Sequence, residues 1–270
     1  MTGHAAVAVH AVSKVFNPGS PSQVDALVDV DLEIRPGEFV SLIGPSGCGK
    51  STLLRLMADL IEPTTGTITV NGKPAHQARL DHDYGMAFQQ AGLFEWRTVE
   101  KNIELPLELQ GWDKARRRAR AHEMLELVKL PEFARHMPWQ LSGGMQQRIA
   151  IARALATEPS LLLMDEPFGA LDEMTREHMQ TELLRICAET GTSVVFVTHS
   201  IPEAVYLSDR VVVMSPRPGR IVDVIDVQIA DRDGDADDVR EAPEFFGCIT
   251  AVREALRGLD RPAGGAVDDR

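Results

Sequence analysis

The chain has 270 residues, of which 44% are hydrophobic, with a mean hydropathy of -0.12 and a formal net charge of -12. That is enough for a sizeable core in one large domain or two small ones, while the longest apolar runs, such as residues 161–164 and 194–197, fall far short of the ~20 residues that span a bilayer. The acidic balance disfavours nucleic acid and anionic lipid as direct partners. Three widely spaced cysteines argue against a disulfide framework and fit a reducing cytoplasm, and the opening MTGHAAVAVHAV shows no signal-peptide pattern.

In chain order, AVAVHAV and VDVDLEI alternate as half-buried strands do. A Pro36-Gly37 turn precedes FVSLI, a short fully buried strand. After a glycine-rich loop, KSTLLRLMADL reads as a helix, and TGTITVNGKP as a strand closed by an Asn-Gly turn. From about 94 to 159 the helical period dominates, with Met145, Ile149, Ala152 and Leu155 on one stripe. The basic run KARRRAR lies here and reads as a solvated surface. Strand patterns return in SLLLMDEP, SVVFVTHS and RVVVMSP with helical stretches between, an alternation that predicts a parallel sheet. The helical stretch then reads as an inserted subdomain. Beyond Asp231, ADRDGDADDV has a linker's composition and EAPEFFGCITAVREALRG the pattern of an amphipathic helix.

Chemistry concentrates at a few places. Gly44-Pro45-Ser46-Gly47-Cys48-Gly49-Lys50-Ser51-Thr52 fits the phosphate-loop pattern between a buried strand and a helix. Glycines let backbone N–H groups turn inward, and the helix N-terminus favours an anion. Lys50 is placed to reach the outer phosphates, and the Ser51 hydroxyl to ligate Mg²⁺. The apolar run 161–164 ends in Asp165, suited to a metal contact, and Glu166, suited to polarising an attacking water as general base. His199, after SVVFVT, suits a hydrogen bond to both a phosphate and Glu166. The remaining histidines have no comparable setting. LSGGMQQR is a second anion-type turn, with neither acid nor base.

Taken in order and spacing, these motifs, LSGGMQQR, LLLMDEP, FGALD and Thr198-His199 resemble an ABC-type ATPase, over about residues 7–227. The resemblance implies a P-loop NTPase α/β core with a mixed, mainly parallel sheet, an N-terminal antiparallel β subdomain and an inserted α-helical subdomain. The ATPase domain would span 5–230 and an acidic linker with a helical extension 231–270. It also implies ATP and Mg²⁺ as ligands. Phe16 would stack on adenine, and Gln89 would contact the metal together with Ser51 and Asp165. Leu141, Ser142, Gly143, Gly144 and Gln146 would meet the phosphate held by a second copy, with Asp172 reaching across that dimer. Two departures stand out: Phe168-Gly169 in FGALD, and Glu95-Trp96-Arg97 where many relatives show Pro-Trp, in the segment that docks membrane subunits in this family.

The expected function is the ATP-hydrolysing subunit of an importer on the cytoplasmic face of the membrane. It would work as an ATP-sandwich homodimer with separate permease subunits and, indirectly, a solute-binding protein. THSIPEAVYLSDRVVVMSPRPGRIV and LDEMTREHMQTELLRI resemble the importers of nitrate, sulfonate, taurine and similar solutes, and LFEWRTV with NIELPLEL leans weakly toward pyrimidine or vitamin-precursor uptake. The competing class, a soluble ABC ATPase acting on nucleic acid or ribosomes, is disfavoured by the single cassette and the negative charge.

Overall fold

A computed structural model of the protein describes residues 4–229 and 236–259. The chain opens with two long antiparallel strands, β1 (Val7–Phe16) and β2 (Val24–Ile34). The buried strand β3 (Phe39–Ile43) follows, and then helix α1 (Lys50–Met57). Strands β4 (Thr65–Val70) and β5 (Lys73–Pro74) flank the Asn71-Gly72 turn, and helix α2 (Ala75–Leu80) leads to β6 (Tyr84–Ala87). Then come α3 (Val99–Leu109), α4 (Lys114–Leu127) and α5 (Gly143–Leu155), with no strand between them. Strand β7 (Leu161–Asp165), helix α6 (Glu173–Thr190), strand β8 (Ser193–Val197), helix α7 (Ile201–Leu207), and strands β9 (Arg210–Met214) and β10 (Ile221–Asp226) restore the alternation. Helices α8 (Ala236–Glu241) and α9 (Pro243–Gly258) complete the described chain.

Two sheets result. One is antiparallel, in the order β2-β1-β4-β5; the other runs β10-β9-β3-β8-β7-β6. The second is parallel except for its antiparallel edge strand β10. Strands β3, β7 and β8 are buried along their whole length because both faces are covered. Side chains alternate between the faces. Val40, Leu42, Leu161, Leu163, Val195 and Val197 pack toward α1 and the antiparallel sheet. Phe39, Ile43, Leu162, Met164, Val194 and Phe196 pack with residues of α3–α7 and α9.

The basic run at 114–120 turns out to be an ion-paired seam. Asp113 caps α4, and its arginines face the acids of α3: Arg118 lies 3.0 Å from Glu100, and Arg117 3.6 Å from the fully buried Glu104, which Lys101 meets at 2.7 Å. Ala236–Glu241, linker-like in composition, is helical, and Asp231 to Asp235 lie outside the described residues. The amphipathic pattern after it does form a helix. Phe245, Ile249 and Val252 bury α9 against α7, β9 and β10. The cysteines are free, and burial pushes the Cys187 thiol up to about 12.

Candidate active site

The C-terminal ends of the parallel strands share one edge, and the segments leaving β3, β6, β7, β8 and β9 line a cleft of about 700 Å³. The loop after β3 forms its floor. Gly49 sits at φ +108°, a conformation that side chains rarely adopt, and this lets the chain turn directly into α1. The Lys50 side chain folds back over the loop, its ammonium donating to the Gly44 carbonyl at 2.8 Å and the Pro45 carbonyl at 3.2 Å. Lys50 is buried with no carboxylate on it among the described residues, so its charge is available to an anion in the cleft. Ser46, Gly47, Cys48, Gly49, Lys50, Ser51 and Thr52 all line the cleft.

The end of β7 supplies the acids. Asp165 accepts a hydrogen bond from the Ser51 hydroxyl at 2.7 Å. Burial raises its pKa, opposed by that hydrogen bond. A hydroxyl and a carboxylate this close, beside the phosphate loop, form a hard-oxygen pair of the kind Mg²⁺ takes alongside phosphate oxygens. Glu166 follows at φ +47°, an unusual backbone for a residue with a Cβ. Its N–H is held by the Val197 carbonyl at 3.0 Å, and its side chain enters the cleft. There one carboxylate oxygen receives Gln89 Nε2 at 3.3 Å and lies 3.3 Å from His199 Nδ1. Gln89 comes from the loop after β6 and His199 from the end of β8, so three separate segments converge on one oxygen. Phe16, at the end of β1, forms part of the wall and is 36% exposed.

The other predicted residues stand outside the cleft. Ser142 caps α5, its hydroxyl accepting from the Met145 N–H at 3.3 Å, and Ser142 and Gly143 are exposed. Leu141 is buried. Gln146 turns its amide inward to the Pro138 and Leu141 carbonyls, where it braces the turn. Gly144 abuts the loop before α6: a Cβ there would lie 3.3 Å from the Ala170 carbonyl. Asp172 caps α6, and the hydrogen bond from the Thr175 N–H lowers its pKa. Phe168, the departure in FGALD, is a core residue packed on Phe196, with ring centroids 5.5 Å apart.

Three features were not anticipated. Helix α5 grips the loop carrying Gln89: Gln147 donates to the Phe88 carbonyl at 2.9 Å, and Arg153 to those of Gly92 and Ala91 at 2.9 and 3.0 Å. Behind His199, the buried Glu203 accepts from the Thr198 hydroxyl and, at 3.0 Å, from Gln180, and burial raises its pKa. The spacing Ser200-x-x-Glu203 is a capping-box pattern that could have flagged this residue, although its carboxylate faces inward instead. Arg217, on the turn between β9 and β10, lines the cleft with no motif to announce it.

A glycine-framed phosphate loop, a hydroxyl–carboxylate pair and a carboxylate at the end of the neighbouring parallel strand together define a P-loop nucleotide hydrolase. The comparisons narrow this class. The ABC transporter family model matches residues 27–169. The taurine import ATP-binding protein TauB of Jannaschia sp. (strain CCS1) is 42% identical over 96% of this chain and 94% of its own length. TauB of Yersinia pestis bv. Antiqua (strain Antiqua) is 45% identical over 86% of this chain and 90% of its own. A dimeric structure of the ATP-binding cassette MJ0796, in a post-hydrolysis state bound to ADP and Pi, superposes with a TM-score of 0.76 at 37% identity, covering 82% of this chain and 99% of that one. The chain belongs to the ABC transporter family, as one of its ATP-hydrolysing cassettes.

Proposed function

We propose that this protein is the ATPase subunit of an ABC importer, and that two copies close head to tail on two ATP molecules. The observation that carries this reading is the convergence of Gln89 and His199 on Glu166 in the cleft that Lys50 also lines, while Ser142 and Gly143 are exposed and line none of it. Within one chain the turn has no access to the cleft. In a symmetric pair each turn completes the other's site, and its backbone N–H groups stabilise charge on the outer phosphate.

In this reading Lys50 binds phosphate oxygens, Phe16 stacks on the base, and Ser51, Asp165 and Gln89 hold Mg²⁺. The ion's contribution is to neutralise charge on the phosphate oxygens. Glu166 orients the attacking water and takes its proton. His199 holds that carboxylate and the terminal phosphate in register. Asp172 keeps α6 and the facing loop in place at the dimer interface.

No helix among the described residues is long and apolar enough to cross a membrane; in this reading the translocation path belongs to separate permease subunits. A groove of about 370 Å³ between β6 and α3 suits them, with Phe88, Phe94 and Leu109 on its walls and Trp96 beside it, 74% exposed and edge-on to Phe94. Exposed aromatics beside a groove are the anchors that interfaces favour. The same groove takes in Arg153, so a push on it reaches the Gln89 loop through α5. The two TauB relatives are taurine import ATP-binding proteins, which makes a small sulfonate such as taurine the first cargo to test, delivered by a solute-binding protein to a complex on the cytoplasmic face of the membrane. The test is co-purification followed by reconstitution in proteoliposomes. Recovery with a multispanning permease, and ATP hydrolysis stimulated by cargo-loaded binding protein, are expected. Recovery with ribosomes or DNA, and never with a permease, would overturn the importer assignment.

A further inference from the structure

The cleft has a second cation that no motif accounts for. Arg217 lies on the β9–β10 turn, which is tied down on both sides. The Gly219 N–H donates to the Ala26 carbonyl at 2.9 Å, the Val28 N–H to the Gly219 carbonyl at 3.0 Å, and Ser215 bonds Arg220 and Pro218 across the turn. Gly219 packs so closely on the phosphate loop that a Cβ would collide with the Cys48 carbonyl. The turn is therefore a fixed platform on the loop, and it presents Arg217 to the cleft from the side opposite Glu166's strand.

The guanidinium is nearly unused. Among the described residues its single hydrogen bond is a long one, from Nε to the Gly47 carbonyl at 3.4 Å, and none of their carboxylates pairs with it. Arg118, Arg120 and Arg185, by contrast, each have an acidic partner. In the cleft, Lys50 is the other cation, and a metal-bound triphosphate retains more negative charge than one lysine neutralises. A planar fork with four free N–H donors at the lip of a phosphate loop matches phosphate oxygens in geometry as well as in charge.

We propose that Arg217 is a nucleotide-binding residue, a clamp that donates to the phosphates from the outer lip of the loop. This rests on the reading of the cleft as an ATP site. Because Arg217 is exposed, solvent screens the contact and its effect is modest.

The test is calorimetric titration of the purified chain with ADP and with a non-hydrolysable ATP analogue. Arg217→Ala is expected to weaken both by about three- to tenfold. Arg217→Lys should recover part of the loss. Arg217→Gln keeps a donor for the Gly47 carbonyl but no charge, and should bind no better than alanine. The gap to wild type should shrink from 50 to 500 mM NaCl as the charges are screened. Wild-type affinity in Arg217→Gln, or a gap indifferent to salt, would overturn the clamp. Failure of the wild-type chain itself to bind ADP would overturn the reading of the cleft, and the clamp with it.

Discussion

Replacing Phe168 by alanine probes how the Glu166 edge of the cleft is anchored in the core. Its ring is 1% exposed and packs on Phe196, which in turn packs on Phe39 at 5.8 Å between centroids. Phe168 lies two residues after Glu166 and four before Asp172, so its ring pins the segment that links them. Deleting a fully buried phenylalanine side chain costs about 3–5 kcal/mol, the tilted aromatic contact included. For a chain of this size each kcal/mol moves the melting temperature by roughly 2–4 °C, so a fall of about 6–20 °C is expected. Urea unfolding should show a lower midpoint with an unchanged slope. ADP affinity of the folded variant should stay within about twofold of wild type, because the phosphate contacts come from the loop after β3, but turnover should drop with the loosened Glu166 segment. Phe168→Leu, which refills much of the space, should lose less on both counts. A stability loss under about 1 kcal/mol would refute the anchoring argument, as would full turnover in the alanine variant.

Three further outcomes follow from the site. Glu166→Gln should keep nucleotide affinity while slowing steady-state hydrolysis by about 10²–10⁴-fold, and normal turnover would remove Glu166 from the role of general base. Ser142→Arg should leave ADP binding by a single chain intact and block both ATP-driven dimerisation, read by light scattering, and turnover; loss of ADP binding by the monomer would sink the shared-site model. Glu203→Gln tests the buried carboxylate behind His199. Its pKa is raised by burial, so the native state favours the protonated form. That contribution is complete below the ordinary carboxylate value and is lost as pH rises through the raised one. The glutamine variant, locked neutral, should therefore gain stability over wild type as pH rises above the ordinary carboxylate range, measured as a difference in melting temperature. A difference independent of pH, or one that grows in favour of wild type at high pH, would contradict this.

Much of the cleft was legible in the sequence because it is built from local patterns. A phosphate loop works through its own backbone N–H groups and the helix it starts, so nine consecutive residues hold most of the information. Asp165 and Glu166 were legible for a related reason: the end of a buried parallel strand is where ligands sit. Burial along β3, β7 and β8 likewise followed from unbroken apolar runs. Gln89, Phe16 and the signature turn needed the family resemblance as well, since nothing in their immediate neighbours tells which segment they will face.

What the sequence determined by itself was the alternation of strand and helix, the phosphate loop, the acids at the strand end and the family. The tertiary structure alone decided that Lys101, Arg117 and Arg118 neutralise the acids of α3, that Gln147 and Arg153 grip the Gln89 loop, that Gln146 braces its own turn, and that Arg217 stands over the phosphate loop 170 residues after Gly47. Lys101 and Gln146 make local contacts, within α3 and within the signature turn; Arg117, Arg118, Gln147, Arg153 and Arg217 share one physical reason, since each meets a carbonyl or a carboxylate of another element, and backbone periodicity carries no record of that partner until the elements are packed.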